Sequence, residues 1–249
     1  MNNDPNPTDL PDPTCFADQP DLRSLQARYP LITRRLHLAN RHWEITAVED
    51  QDALLREVQT DTDLENFPYG LMLWASAIGL CEWLAANPSL VAGKRCLEIG
   101  AGIGLVGLVA QWLGAEVTQT DYQPDALRLC AENARANQVA LHTIRAADWR
   151  DFPGDLLASP VVLASDILYE RSLHPLLEGL LPRLLAPNGV LILSDPIRPQ
   201  AMDFLERIEK TGVWNLTFHG HTVCWNGKKS DIAIALVRLA NLSPPQPIG

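Results

Sequence analysis

Short apolar strands alternate with helical segments over residues 95–210, and this alternation limits the possible fold more than any other feature. Strands are predicted at residues 95–99, 116–120, 141–146, 161–165 and 189–194. Helices are predicted at residues 105–113, 124–137, 173–185 and 199–210. Several of the strands are apolar throughout, which is typical of strands that are buried on both faces. The pattern therefore predicts an α/β fold with a parallel sheet covered by helices on both sides.

The end of the chain breaks this alternation. Residues 214–220 and 231–239 are two predicted strands, and the turn between them contains Asn226-Gly227. Without a helix to carry the chain back, the two strands can only pair antiparallel. The parallel sheet is therefore expected to finish with an antiparallel hairpin.

The chain before residue 95 is expected to add a hairpin and helices. Residues 33–48 alternate between apolar and polar types on both sides of Asn40, which predicts a β-hairpin. Apolar residues recur at helical spacing over 71–86, which predicts an amphipathic helix, and residues 51–58 are a candidate short helix.

Composition predicts a single domain with two disordered tails. Residues 1–21 are rich in Asp and Pro, and residues 242–249 contain three prolines, so neither segment can bury enough surface to order itself. Residues 22–241 are expected to form one domain, with an N-terminal extension at 22–69 and a catalytic core at 70–241. The chain lacks a secretory signal pattern and an apolar run of ~20 residues, so a cytoplasmic protein outside the membrane is expected.

Charge and cysteine usage exclude some classes of function. A formal net charge of −10 repels phosphate backbones and disfavours nucleic-acid binding. The five cysteines are scattered and predict neither a disulfide framework nor a zinc site, and Cys96 and Cys130 are expected to be small buried apolar residues. His219, His221 and Cys224 alternate on the final hairpin without a fourth ligand nearby, so no metal is expected.

The most specific stretch is the glycine-rich turn at residues 97–105, Leu-Glu-Ile-Gly-Ala-Gly-Ile-Gly-Leu. It follows a strand and opens a helix, so backbone N–H groups and a helix N-terminus face a ligand there. Gly102-x-Gly104-x-x-Gly107 also spells a dinucleotide fingerprint, and Asp121 stands where a ribose-binding acid is expected. The carboxylate of Glu98 favours the other candidate, a cationic nucleoside such as S-adenosylmethionine, because it would repel a pyrophosphate. Asp121 suits both ligands, or it caps the helix that begins at Pro124.

These residues resemble class I S-adenosylmethionine-dependent methyltransferases. Residues 98–104 are similar to motif I of that group, with Gly100, Gly102 and Gly104 against the donor, and Asp121 is similar to the acid after its second strand. Asp148-Trp149 resembles the pair that holds adenine, although a capped turn with a half-buried indole would give the same sequence. The resemblance implies a Rossmann-like, doubly wound sheet of seven strands and S-adenosylmethionine as the cofactor.

A second set of residues follows the fourth strand of the alternation. Ser165-Asp166-x-x-Tyr169 lies beyond a strand's carboxyl end, where doubly wound sheets place their ligands. The Asp-x-x-Tyr pair resembles a signature of protein N-methyltransferases that mostly modify lysine, as does Gly70-Leu-Met-Leu-Trp74. The resemblance makes Asp166 and Tyr169 catalytic candidates and Trp74 and Ser165 cofactor contacts. The other interpretations are an N-cap Asp, a packed Tyr and a core Trp.

Asp195-Pro196-x-Arg198 follows the next strand and is also expected on the ligand side. A similar sequence occurs in relatives that methylate an electron-transfer flavoprotein. The resemblance to the mostly lysine-specific Asp-x-x-Tyr group implies a lysine-bearing protein substrate, and a monomeric enzyme is expected. The competing hypotheses are a small-molecule N- or O-methyltransferase, a nicotinamide-dependent dehydrogenase and a binding module without activity.

Overall fold

The structure is a computed structural model that describes residues 22–49, 67–139, 143–156 and 158–240. The predicted tails at 1–21 and 242–249 and the predicted helix at 51–58 lie outside these ranges. No helix in the described ranges is both long and apolar enough to cross a bilayer.

The strands of the described chain form a two-stranded sheet and a seven-stranded sheet. The small sheet contains β1 (Leu31–Leu38) and β2 (Arg41–Val48). The large sheet contains β3 (Arg95–Ile99), β4 (Glu116–Asp121), β5 (Thr143–Ala146), β6 (Ser159–Ser165), β7 (Leu185–Asp195), β8 (Trp214–Trp225) and β9 (Lys228–Leu239). Its order is β5-β4-β3-β6-β7-β9-β8, with β3 to β7 parallel and β9 antiparallel to both neighbours. The predicted fold class is confirmed.

Helices cover both faces of the large sheet. They are α1 (Leu22–Gln26), α2 (Ala75–Ala86), α3 (Leu105–Trp112), α4 (Pro124–Ala136), α5 (His174–Leu184) and α6 (Pro199–Lys210), with short 3-10 helices at Tyr69–Leu71, Pro88–Leu90 and Arg171–Leu173. Successive strand residues point to opposite faces. Cys96 therefore packs with the small sheet, α2 and α3, whereas Leu97 packs with α5 and α6. Cys96 and Cys130 are both buried, as predicted.

Both predicted hairpins are present, and each turns on two residues with positive φ. Ala39 and Asn40 have φ of 51° and 56°, and Asn226 and Gly227 have φ of 49° and 73°. Two consecutive residues with positive φ match the twist of the flanking strands, which is why Asn and Gly suit these positions. The final hairpin is longer than predicted, because pairing continues from Trp214 to the turn.

The small sheet is attached to α4 by two buried asparagine side chains. Asn133 Oδ1 accepts from Thr46 N at 2.8 Å, and Asn137 Oδ1 accepts from Glu44 N at 2.8 Å. Trp43, with no exposed surface, donates from Nε1 to Leu38 O at 3.0 Å. The extension therefore packs into the same apolar cluster as α2 and α3.

The helix predicted over residues 71–86 is shorter and more buried than expected. Met72 and Trp74 are extended, and α2 begins only at Ala75. The prediction of an amphipathic helix is wrong, because consecutive residues from Ser76 to Cys81 are all buried. The helix is packed between the small sheet, α3 and the large sheet, so little of its surface faces solvent.

Candidate active site

A cavity of about 420 Å³ opens at the carboxyl ends of β3, β4 and β6. The sheet extends from β3 in one direction to β4 and β5, and in the other direction to β6 and β7. This is the switch point at which doubly wound sheets bind ligands. Most residues that the sequence singled out line it: Trp74, Gly100, Gly102, Asp121, Asp148, Trp149, Ser165, Asp166 and Tyr169. The sequence motifs, which are scattered along the chain, therefore meet at one site.

Gly102 is the position where the glycine-rich turn touches the segment before α2. Its φ is +54°, and a Cβ there would lie 2.9 Å from the carbonyl oxygen of Gly70. A backbone atom cannot swing away as a flexible side chain can, so only glycine fits. The two motifs that contain Gly70 and Gly102 are thus in direct contact on the cavity wall.

Asp121 links the turn to the end of β4. Its carboxylate accepts hydrogen bonds from Gly102 N at 2.8 Å and from Gln123 N at 2.9 Å. Burial raises the pKa of Asp121, and its backbone hydrogen bonds partly offset that rise. The N-cap of α4 is Gln123, so the helix-capping interpretation of Asp121 is wrong. That Asp121 binds ribose hydroxyls stays a prediction.

Glu98 and Gly104 do not line the cavity, in contrast to the prediction. The buried carboxylate of Glu98 accepts from Gly107 N at 2.9 Å and from Gln119 Nε2 at 2.5 Å. Burial raises the pKa of Glu98 to about 8 despite these hydrogen bonds. Since this carboxylate is directed at α3 and β4, its charge is not presented to a ligand, and the electrostatic argument based on Glu98 is wrong.

Gly104 has a structural role instead. It is the N-cap of α3 with a φ of +83°, and a Cβ there would lie 2.5 Å from Cys130 Sγ. Glycine is therefore needed at this position for the packing of α3 against α4.

Asp148 and Trp149, the pair predicted to hold adenine, lie on the cavity wall together with Arg150, which the sequence did not single out. Asp148 Oδ2 accepts from Arg150 Nη2 at 2.6 Å, and Asp148 Oδ1 accepts from Arg150 Nε at 2.9 Å. Burial by itself raises the pKa of Asp148, but the hydrogen bonds and charge of Arg150 lower it overall. The carboxylate is thus held ionised beside Trp149. The Trp149 ring lies next to Gly100, where an added Cβ would come within 3.3 Å of Cζ2 of the ring.

The two residues predicted to face the acceptor are Asp166 and Tyr169. Asp166 has a φ of 60°, its N–H donates to Ser194 O at 2.8 Å, and its carboxylate forms an ion pair with Arg198. Burial raises the pKa of Tyr169, and the nearby acidic groups raise it further, so its hydroxyl stays protonated. The interpretation of Asp166 as a helix N-cap is wrong, because no helix begins there.

Aromatic rings extend the wall around Tyr169. The ring of Tyr69 lies 5.0 Å from that of Tyr169 and 4.6 Å from that of Phe67, between centroids. Trp74 donates from Nε1 to Tyr69 O at 3.0 Å, and its ring lines the cavity. Tyr69 and Tyr122 were missed in the sequence, although Tyr69 directly precedes Gly70 and Tyr122 directly follows Asp121.

The histidines of the final hairpin serve other contacts. His221 Nε2 lies 2.6 Å from Glu82 Oε2, and the ring of His219 lies 5.4 Å from that of Trp83. Within the described residues, His, Cys, Asp and Glu side chains do not form a group that could hold a metal ion.

Comparison with known proteins identifies the family. A profile described as lysine methyltransferase matches residues 55–211. Mouse EEF1A lysine methyltransferase 3 is 33% identical over 144 residues, 55% of this chain and 60% of that protein. Protein N-lysine methyltransferase METTL21A of Xenopus tropicalis is 31% identical over 61% of this chain and 73% of that protein. Histone-arginine methyltransferase METTL23 of Xenopus laevis is 30% identical over 53% of this chain and 58% of that protein. The alignments thus span between 58% and 73% of these relatives.

Solved structures agree on the fold. The 16S rRNA N2 G1207 methyltransferase of T. thermophilus superposes with a TM-score of 0.56 at 14% identity, over 84% of this chain and 50% of that chain. A precorrin-6y C5,15-methyltransferase of Geobacter metallireducens superposes with a TM-score of 0.51 at 16% identity, over 64% of this chain and 89% of that chain. At such low identity these likenesses concern the fold alone. The lysine methyltransferase profile covers more than half of this chain, so the chain belongs to the lysine methyltransferase family.

Proposed function

We propose that this protein transfers a methyl group from S-adenosylmethionine to the side-chain nitrogen of a protein lysine. The observation that carries the proposal is the position of Asp166 and Tyr169 on the same cavity as Asp121 and the glycine-rich turn. A carboxylate attracts a cationic acceptor, and here it stands with an aromatic ring beside a candidate nucleoside site. Membership of the lysine methyltransferase family supports the same activity.

The cavity fits the cofactor. A volume of about 420 Å³ lies in the range of small-molecule sites. Among the described residues, the buried Oε1 of Gln123 has no hydrogen-bond partner, so this oxygen suits a donor group of a ligand. We assign the ribose to Asp121 and Gln123, the adenine to Asp148 and Trp149, and the remaining contacts to Trp74, Gly100, Gly102 and Ser165. When bound, S-adenosylmethionine supplies an electrophilic methyl group on a sulfonium.

The chain's own residues then prepare the acceptor. A lysine side chain has a pKa of ~10.4 and must lose a proton before its nitrogen can attack. The carboxylate of Asp166 attracts the ammonium and orients it, and the rings of Tyr169 and Tyr69 form an apolar wall that favours the neutral amine. After the proton leaves to solvent, the nitrogen–carbon bond forms as the carbon–sulfur bond breaks. The products are methyl-lysine and S-adenosylhomocysteine.

Positioning supplies most of the acceleration in such a displacement. The ion pair with Arg198 and the hydrogen bond from Asp166 N to Ser194 O hold the acceptor carboxylate in one place. The hydroxyl of Tyr169, held protonated by burial, donates or accepts a hydrogen bond but carries no charge into the site.

Methyl-labelled S-adenosylmethionine and a cell lysate test the proposal. The wild-type protein should label one or a few proteins, and mass spectrometry should place the methyl group on lysine. Asp166→Ala should abolish labelling while S-adenosylhomocysteine still raises the melting temperature, by an amount that corresponds to about 2.7 kcal/mol at 100 times its dissociation constant. Asp203→Ala, which removes an exposed ion pair with Arg171, is the matched control and should label like wild type.

Each competing function has its own outcome. Label that passes a protein-retaining filter would indicate a small-molecule methyltransferase. Stabilisation by NAD and not by S-adenosylhomocysteine would indicate a dehydrogenase. Donor binding without any transfer would indicate a binding module. Methyl-arginine in place of methyl-lysine would keep the enzyme class and change the acceptor.

The setting of the reaction is part of the proposal. We assign the enzyme to the cytoplasm, to a protein substrate with exposed lysine, and to a monomeric state, without nucleic-acid binding. The net charge of −10 supports an encounter with a basic protein surface. Light scattering of the purified protein and microscopy of a tagged chain test the oligomeric state and the compartment.

A further inference from the structure

Two carboxylates are adjacent at the acceptor end of the large sheet. β6 and β7 are parallel neighbours, and Ser165 pairs with Ser194. The next residues along the two strands, Asp166 and Asp195, therefore lie side by side. The side chain of Asp195 is 1% exposed and that of Asp166 is 7% exposed. Two buried carboxylates this close repel each other unless a cation lies with them.

Arg198 is that cation. Its Nη1 forms an ion pair with Asp166 Oδ1 and lies 3.2 Å from Asp195 Oδ2, and its backbone N–H donates to Asp195 Oδ1 at 2.7 Å. Burial by itself lowers the pKa of Arg198, but the two carboxylates raise it overall, so the guanidinium stays protonated. One guanidinium is thus shared by two carboxylates, which leaves room for an acceptor ammonium to pair with Asp166.

The backbone on both sides of this cluster is strained. Asp166 and Ile197 have φ of 60° and 61°, a left-handed conformation that is rare for residues other than glycine and especially for a β-branched one. Such conformations persist only where the surrounding contacts impose them. Here the contacts that join the two loops include the hydrogen bond from Asp166 N to Ser194 O, the ion pairs of Arg198 and the hydrogen bond from Gln200 Nε2 to Tyr169 O.

We propose that Arg198 is a positioning residue, which fixes the Asp166 carboxylate in one orientation for the acceptor amine. Arg198 does not line the cavity, whereas Asp166 does. The Arg198 guanidinium donates a hydrogen bond to Asp166 Oδ1. Among the described residues no other group is a hydrogen-bond partner of the Asp166 carboxylate, so Oδ2 is presented to the amine. The proposal rests on the proposed methyl transfer to lysine.

Steady-state kinetics of Arg198→Met, Arg198→Lys and Arg207→Met test this role. The acceptor is the protein that the wild-type enzyme labels most strongly, purified and varied in concentration. Arg198→Met should lower kcat about 100-fold, because displacement of a reacting group by about 1 Å costs that much. Binding of S-adenosylhomocysteine, measured by calorimetry, should not change, since within the described residues the Arg198 guanidinium pairs with Asp166 and Asp195 and not with an assigned donor residue.

The other two variants separate charge from packing. Arg198→Lys keeps the cation and should recover kcat about ten-fold above Arg198→Met, although it loses the planar fork. Arg207→Met removes a guanidinium from α6, the helix that follows Arg198, where Arg207 pairs with the half-buried Glu178, and this variant should match wild type. Wild-type kcat in Arg198→Met, no recovery in Arg198→Lys, or an equal loss of S-adenosylhomocysteine affinity would each overturn the proposal.

Crystal structures test the same inference without an acceptor. In complexes with S-adenosylhomocysteine, the Asp166 carboxylate of Arg198→Met should lie about 1 Å or more from its wild-type position. An unmoved carboxylate would overturn the positioning role. If the wild-type protein labels no protein at all, the proposed function fails, and this comparison still decides whether Arg198 positions Asp166.

Discussion

Replacing Glu98 by glutamine should remove a large pH-dependent loss of stability. The carboxylate is buried, its exposed fraction is 1%, and burial raises its pKa from 4.5 to about 8 in the native state. Between these values the native protein keeps a proton that the unfolded chain has lost. The free energy of unfolding must therefore fall as pH rises from about 4.5 to about 8, and then stay level with respect to this group.

The magnitude follows from the same two values. The difference between 4.5 and about 8, at ~1.36 kcal/mol per pH unit, corresponds to roughly 5 kcal/mol. Because the transition is gradual, roughly 4 kcal/mol of this should appear between about pH 5 and about pH 8.5. Glutamine cannot ionise, and its carbonyl oxygen can still accept from Gly107 N and Gln119 Nε2.

Urea unfolding followed by tryptophan fluorescence over this pH range measures the effect. The free energy of unfolding of Glu98→Gln, relative to that of wild type, should rise by roughly 4 kcal/mol from about pH 5 to about pH 8.5. This corresponds to roughly 10 °C in melting temperature. Glu206→Gln, an exposed acid paired with Lys210, should show no such trend. A constant difference between Glu98→Gln and wild type across the range would refute the reasoning, because it would mean that Glu98 ionises alike in both states.

Three further substitutions test the fold and the site. Gly102→Ala should weaken S-adenosylhomocysteine binding at least about ten-fold by calorimetry, because its Cβ meets Gly70 O; Gly154→Ala, which has open space around it, should bind normally. Trp43→Ala should cost about 3–5 kcal/mol in urea unfolding, since the ring is fully buried, and a loss below about 1 kcal/mol would contradict that packing. Gly227→Ala should cost about 1 kcal/mol at a φ of 73°, and an unchanged stability would argue against the two-residue turn.

Much of the fold was predictable because the relevant physics is local. Alternating apolar strands and helices predict the parallel sheet, and the dipeptide Asn226-Gly227 predicts a tight turn from backbone sterics alone. The glycine-rich turn and the residues after β4 and β6 predict where a ligand site lies, because parallel strands end at one edge of a sheet. These conclusions need only the chain's own neighbouring residues.

Tertiary packing decided the rest. The apolar residues of α2 have helical spacing, yet the burial of most of its surface depends on the small sheet, α3 and the large sheet that pack against it. Glu98 is two residues from Gly100, yet its carboxylate is directed at Gly107 and Gln119 instead of the cavity. No local pattern contains that direction, because side-chain orientation depends on which partners the fold brings near.

The proposed acceptor site shows most clearly which features the sequence predicts and which only the fold decides. The sequence by itself determined that Asp166 and Tyr169 follow a strand and that Arg198 follows another. Only the fold placed Arg198 against Asp166 and Tyr69 against Tyr169, over separations of 32 and 100 residues. Charge pairing and ring packing act over a few ångströms in space, so contacts between distant segments are determined by how the strands and helices assemble.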